Sequence, residues 1–431
     1  MTEDLINNKD IYFPSYLGTN DSLITLLNRA SQTLSDWFSK AYKNGPLPLD
    51  ENFKCIMPGE DGNSVEGMFT EIESLLNNSF NPVHPGSLAH LDPPPLIFSI
   101  LGDLIAAGLN NNLLAYELSP SVTLLEDSLC KWFANKIGFS NLSGGIAASG
   151  GTLSNLNALI AARHNAGLGS DPNSVLLVSE DAHSSFIKCI RIMGLDDSNL
   201  VKIKTDNDGC MDINNLKKSV YQCLIENKKI IAIVATLGTT IRGAIDPIKD
   251  ISVICKENNI WLHIDGSIGG IFALSSIPIE GLKKINQANS ITINPQKIIG
   301  ITKTSSLLLV SDMSTLENTF STGLPYISSK ENIINRGEIG IQGSRPAEVI
   351  KLWLGLRLLG LKGIEDILNS SIKRKEFFVK NISKNKYELY SGPLHIVSFL
   401  PRGLAPKDTD FWTKTKVNEL MKNNFMLSRP R

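Results

Sequence analysis

"IIAIVATLGTTIRGAIDPIKDISVICKENNIWLHID", residues 230–265, decides the fold. It opens on a β-branched run without polar alternation (230–236) and closes on another, "IWLHID" (260–265). Between them lies a helix-length amphipathic stretch, "DPIKDISVICKENN" (246–259). Strands buried on both faces read as continuous apolar runs, because helices cover both sides of the sheet they enter. Strand, helix, strand predicts a crossover between parallel neighbours. The pattern extends outward to "VLLVS" (175–179) and "SITIN" (290–294), so the expected class is α/β, a mostly parallel sheet with helices on both faces. Upstream, residues 1 to about 80 look mostly helical, with "LITLLNRASQTLSDWF" apolar at near-helical spacing. The proline-punctuated "HPGSLAHLDPPP" (84–95) ends that arm.

The chain has 431 residues, enough for two or more domains. With 42% hydrophobic and 20% charged residues it has the composition of a soluble globular protein. A net charge of −1, with no basic stripe, argues against a nucleic-acid partner. The six cysteines show no CxxC and no metal-type clustering, which fits free thiols in a reducing cytosol and no metal site. The start, "MTEDLINNKD", lacks the charged-then-apolar plan of a signal peptide. The most apolar stretch, "PPPLIFSILGDLIAAGLNNN", is broken by Asp103 and closed by asparagines, so no membrane span is expected. The expected location is cytoplasmic.

In open α/β sheets the ligand sits beyond the carboxyl ends of the strands. Just past the four runs come His183, Thr239-Thr240, Asp265 and Lys297, four polar positions at one edge of one sheet. A fifth element, "GGIAASGGTLSNLNALIAAR" (144–163), reads as a Gly/Ser/Thr turn running into an apolar-periodic helix. Its unpaired N–H groups and helix dipole suit an anion; equally, it reads as a capped helix with a tight entry. The turn is neither GxxxxGKS nor GxGxxG, which disfavours a nucleotide.

Each residue has a plain reading as well. Asp265 can start a turn, His183 can be a satisfied loop histidine, and Lys297 can extend to water along its own methylenes. Together they form the set that pyridoxal phosphate needs: an amine for its aldehyde, a carboxylate for its ring nitrogen, a flat group for its ring and a cradle for its phosphate. An amine beside apolar residues has its charged form disfavoured, which makes it a nucleophile toward carbonyls.

At this point the chain resembles the group II pyridoxal-phosphate-dependent amino-acid decarboxylases (aromatic amino-acid, glutamate, cysteine-sulfinate and diaminobutyrate enzymes). The matching segments run in order from "HPGSLAHLDPPP" through "LLAYELSPSVTLLE", "ASGGTLSNLNALIAAR", "DAHSS", "IVATLGTTIRGAIDPI", "WLHIDGSIGG" and "NPQK" to "GSRPAEVIKLWLGLRLLG". The resemblance implies an aspartate-aminotransferase-like fold of type I. It implies an N-terminal helical arm (1–83), a large cofactor-binding domain (84–350) with a mobile loop at about 318–338, and a small C-terminal domain (351–431) that looks shortened. It further implies a homodimer with the active site at the subunit interface.

Residue by residue, the resemblance makes Lys297 the Schiff-base lysine, Asp265 the partner of the ring nitrogen and His183 the ring-stacking group. Thr240 and Asn294 fall where the family contacts the cofactor, and Gly151 and Thr152 where it grips the phosphate. Tyr326 stands where the family carries the loop tyrosine that returns a proton after carbon dioxide leaves; relatives with phenylalanine there make aldehydes. The implied activity is α-decarboxylation of an L-amino acid. Alternatives are aldehyde synthesis, carbon–carbon lyase chemistry, or a non-catalytic truncated subunit. Three positions depart from the pattern: Gln296 replaces a common histidine, Ser267 replaces an alanine, and "HPGSLAHL" lacks the paired aromatics of the aromatic and glutamate enzymes. The last points to an acidic or diamino substrate.

Overall fold

The computed structural model describes residues 13–16, 18–48, 53–323 and 334–429, which form two compact units. The first holds residues up to Pro94 together with Asp410–Arg429. Its helices are α1 (Asp21–Ser39), α2 (Ala41–Asn44) and α3 (Val65–Asn77). Arg29 on α1 meets Glu66 on α3 through two parallel bonds of 2.5 and 2.7 Å, and its guanidinium lies 4.0 Å from the centroid of the Phe69 ring.

The second unit is built on seven strands: β1 (Gly144–Ala148), β2 (Ser174–Ser179), β3 (Leu200–Ile203), β4 (Lys229–Thr236), β5 (Trp261–Gly266), β6 (Ser290–Ile293) and β7 (Ser306–Val310). They lie in the order β1-β7-β6-β5-β4-β2-β3. The strands from β6 to β3 are mutually parallel, as the apolar runs predict, and β7 runs antiparallel to both β6 and β1. The stretch from 144 is not wholly a turn. Its first five residues form β1, every one of them buried, and the turn begins only after Ala148. Two glycines at the head of β1 masked that strand in the sequence, yet a β-carbon on Gly145 would lie 2.2 Å from the carbonyl oxygen of Leu308 on the neighbouring strand.

The helices of this unit are α4 (Ile97–Leu109), α5 (Pro120–Lys136), α6 (Gly151–Asn165), α7 (Ser185–Ile192), α8 (Ile213–Ile225), α9 (Ile248–Glu257), α10 (Ser314–Phe320) and α11 (Val349–Asn381). A final helix, α12 (Thr409–Met421), begins where the chain returns to the first unit. One core cluster joins Leu156 and Leu159 of α6 and Phe186 and Ile190 of α7 to Leu176, Ala232 and Val234 of the sheet. On the far side of α6, Ala158 and Ala161 pack with Ile146, Leu308 and Val310. Burial on both sides fixes the rotation and depth of α6 against the strands, and that rotation aims its polar residues. A two-stranded ribbon, β8 (Tyr387–Tyr390) with β9 (Ser398–Pro401), follows α11. No helix among the described residues is long and apolar enough to cross a membrane.

Buried charge anchors the segment that carries Arg336 and Arg345. Glu126 on α5 is fully buried and receives both guanidinium nitrogens of Arg345, at 2.7 and 2.6 Å, and Nε of Arg336 at 3.2 Å. Burial pushes the Glu126 carboxyl up, but the two arginines outweigh it and hold it below the usual carboxylate range. Such a group persists because every charge has a hydrogen-bonded partner.

Candidate active site

The carboxyl ends of β4, β5 and β6 are level with one another. Thr236 pairs with Asp265 and Asp265 with Thr292, so the residues that follow all leave the sheet at one edge. His183, Thr240, Asp265, Asn294 and Lys297 lie there, along the edge the apolar runs predicted.

The glycine turn makes the approach between β1 and α6. Gly150 has φ +99°, a conformation L side chains rarely adopt, and it turns the chain sharply into the helix. Gly151 then brings bare backbone against the side chains of Asn294 and Ser267, closer than any β-carbon allows. Asn294 is held from behind: its Oδ1 accepts from the Ser306 hydroxyl at 2.6 Å, and Ser306 lies 2.7 Å from the Ser154 hydroxyl. Since Ser306 donates to Asn294, Ser154 donates to Ser306. Thr152, in the first turn of α6, is exposed.

Asp265 is only 5% exposed. Its Oδ1 accepts the backbone N–H of Ser267 at 3.1 Å and its Oδ2 the side-chain amide of Asn155 at 3.3 Å. Burial alone pushes this carboxyl up. The charge of Lys297 and the Ser267 donors outweigh burial and hold it below the usual carboxylate range. Asp265 is therefore an anion at neutral pH. Ser267 is part of that stabilisation.

Lys297 is half-buried in a short turn (Pro295–Lys297) between Asn294 and the buried pair Ile298-Ile299; its own N–H donates to the Asn294 carbonyl at 3.1 Å. The neighbouring Gln296 accepts the Ser305 N–H at 2.5 Å, tying this turn to the start of β7. His183 leads into α7, and its Nδ1 accepts the Ser185 N–H at 3.2 Å. Its ring keeps exposed surface, yet desolvation by the surrounding protein lowers its pKa against the pull of Asp265, and Lys297 and Lys188 add to the lowering. Asp265 and Lys297 both lie near enough to influence this imidazole.

Of the two threonines after β4, Thr239 is buried and accepts the Ala244 N–H at 3.1 Å, a turn-forming role, while Thr240 is the exposed one. Tyr326 lies outside the described residues. Glu338 accepts the Thr322 N–H at 2.6 Å and the Thr322 hydroxyl at 2.9 Å.

Sequence reasoning missed the buried polar residues behind Asp265. Asn155, His263 and Ser290 are each at most 1% exposed, and they link Asp265 to Trp261. Their signal was present: Trp261, His263 and Asp265 alternate along β5, so they share one face of the strand. On α6, Ser154, Asn155 and Asn157 interrupt an otherwise apolar helix.

The residues present fit pyridoxal phosphate. The donor set pairs a buried carboxylate held low with an amine, and the glycine turn lets the head of a 15-residue helix approach Asn294 and Ser267 at the same sheet edge.

Comparison with known proteins agrees with this chemistry. Residues 58–393 match the model of the pyridoxal-dependent decarboxylase conserved domain. The chain is 28% identical over 400 residues to an L-aspartate decarboxylase of Metarhizium robertsii, covering 88% of this chain and 80% of that one. It is 30% identical over 366 residues to an aromatic-L-amino-acid decarboxylase of Bacillus atrophaeus, covering 82% and 75%. Among solved structures, Oryza sativa TDC with PLP and tryptamine shares the fold with a TM-score of 0.88 at 20% identity, covering 96% of this chain and 91% of that one.

Proposed function

We propose that this chain, which belongs to the pyridoxal-dependent decarboxylase family, removes the α-carboxyl group of an L-amino acid with an acidic or diamino side chain. The coarser statement is already secure: the chain is a pyridoxal-phosphate-dependent amino-acid decarboxylase. When bound, the cofactor supplies an aldehyde that condenses with amines and a protonated ring that takes up the electron pair freed as carbon dioxide leaves.

The protein's own residues do the rest in this reading. The Lys297 amine would hold the cofactor's aldehyde carbon. Asp265, kept ionised, holds a proton on the ring nitrogen. Gly151, Thr152 and the α6 dipole would hold the phosphate, His183 would face the ring, and Thr240 and Asn294 would complete the contacts. Tyr326 returns a proton to Cα. Orienting the bond to be broken is a matter of positioning, which rigid strand ends serve well. The observation that carries this reading is the buried Asp265 at the carboxyl edge of a parallel sheet, its carboxyl held low by the nearby charge of Lys297.

Two things support the substrate class: the similarity to an L-aspartate decarboxylase, and Ser87 and Leu88 in the region where, by the resemblance, the aromatic and glutamate enzymes carry paired aromatics. A homodimer is the proposed assembly and the cytoplasm the proposed location. Supporting the dimer, α4 turns its small residues Ser99, Gly102 and Ala106 inward and leaves Ile97, Phe98, Leu101, Leu104, Ile105 and Leu109 exposed. A second copy of this chain would cover that face.

The test is carbon dioxide release from the protein amino acids, cysteine sulfinate and 2,4-diaminobutyrate by the cofactor-loaded protein, with amine and aldehyde measured together. Amine from an acidic or diamino substrate is expected. Turnover confined to aromatic amino acids would overturn the substrate class, and aldehyde with ammonia as the main products would overturn the reaction type.

A further inference from the structure

Five side chains in the second unit form an unbroken line of hydrogen bonds that ends on Asp265. Trp261 Nε1 lies 2.8 Å from Ser290 Oγ, Ser290 Oγ lies 2.8 Å from His263 Nδ1, and His263 Nε2 lies 3.1 Å from Asn155 Oδ1. Asn155 Nδ2 then lies 3.3 Å from Asp265 Oδ2. The line is assembled by two periodicities and one register. Alternation along β5 puts Trp261, His263 and Asp265 on one face, pairing with β6 sets Ser290 beside His263, and α6 lowers Asn155 onto them.

The chemistry fixes the direction of every proton. An indole N–H can only donate, so Ser290 Oγ accepts from Trp261. An ionised carboxylate can only accept, so Asn155 must present its amide nitrogen to Asp265; that nitrogen's second hydrogen reaches Ser185 Oγ at 3.3 Å. The Asn155 oxygen then faces His263, whose Nε2 must carry the proton. Nδ1 is left with its lone pair, free to accept the Ser290 hydroxyl. With a neutral His263 ring, no other arrangement satisfies all five groups while Asp265 is charged.

We propose that Trp261, Ser290, His263 and Asn155 form a one-way hydrogen-bond chain, every proton pointing toward Asp265, that positions its carboxylate and keeps it ionised for the cofactor's ring nitrogen. This rests on the role of Asp265 proposed above. His263 is the directional element, since its neutral ring accepts on one side and donates on the other. Burial supports this: it lowers the His263 pKa to about 4, so the ring stays neutral at working pH. His263 and Asn155 are positioning residues, acting through Asp265.

Two measurements on the cofactor-loaded protein test the proposal. The first is a long-range proton–nitrogen spectrum of histidine-labelled protein at pH 7, with His263 assigned by its loss in His263→Gln. A neutral ring protonated at Nε2 is expected; protonation at Nδ1 would reverse the chain and overturn the proposal. The second compares Asn155→Leu with Asn155→Gln and His263→Leu with His263→Gln, each checked for an unchanged cofactor-free melting temperature. The leucine variants should lose roughly tenfold or more in kcat with KM within about twofold, and the amide variants, which keep an N–H to donate, should recover part of it. Leucine variants of normal kcat would overturn the positioning role even with the tautomer as expected. Asp265→Asn, run alongside, separates the two levels: normal turnover there would mean the reading of Asp265 itself had failed.

Discussion

A β-carbon built on Gly151 would lie 2.6 Å from the side-chain nitrogen of Asn294, so the first residue of α6 and the residue that closes β6 meet backbone to side chain. Asn294 cannot yield easily, because Ser306 holds its oxygen and Ser154 holds Ser306. Gly151→Ala must therefore shift either the turn or the asparagine, at a cost of about 1–3 kcal/mol. Cofactor retention after dialysis, followed by visible absorbance, should fall by roughly tenfold or more. Undiminished retention would show that the close approach has no bearing on cofactor binding.

Lys297 and Asp265 should fail differently. Lys297→Ala should keep its fold but lose turnover together with the yellow, borohydride-reducible adduct. Asp265→Asn should still bind cofactor, with kcat down on the order of a hundredfold or more, since a neutral amide cannot hold the ring nitrogen protonated. Absorbance before and after borohydride, beside steady-state kinetics, checks both. A persistent reducible adduct in Lys297→Ala would assign that chemistry to another amine.

In the proposed reading, Tyr326 carries the choice between amine and aldehyde. A phenol can return a proton and a phenyl ring of the same shape cannot. Tyr326→Phe should bind substrate with near-normal affinity yet release little amine, with aldehyde and peroxide rising in air. Wild-type amine yield would place the proton donor elsewhere, with His183 next to be tested.

Arg345→Ala should destabilise the protein by about 3–5 kcal/mol at neutral pH, because it leaves Glu126 buried with one partner fewer. The pH dependence has a definite sign. In the wild type the depressed Glu126 carboxyl contributes stability above the unfolded carboxylate pKa, and that contribution is lost as pH falls through the lower folded value. Without Arg345 the carboxyl rises and takes up a proton sooner, so the gap between variant and wild type should narrow on acidification. Denaturant unfolding at two or three pH values measures that gap. A gap that widens instead would mean the loss is one of packing.

Charging the exposed face of α4 tests the assembly. Leu101→Glu with Ile105→Glu alters residues 41% and 51% exposed, so the fold should survive. Sedimentation velocity should show the wild type as a dimer and the double variant as a monomer. A dimeric variant would put the interface elsewhere.

The amino-acid sequence by itself determined the parallel part of the sheet and the edge at which chemistry occurs. Runs such as 230–236 and 260–265 are apolar without alternation because both their faces are covered, and a parallel sheet sends the residues that follow to one side. His183, Thr240, Asp265 and Lys297 were legible for that reason. Only the tertiary structure decided that β7 reverses direction, since an apolar run carries no mark of its orientation. It also decided what lies behind Asp265. Asn155 in isolation reads as a surface residue of a helix, and its meeting with His263 and Asp265 depends on the rotation of α6 over β5. That rotation is set by the packing of Leu156, Ala158 and Leu159 against strands distant in the chain, a three-dimensional fit that no local spacing encodes.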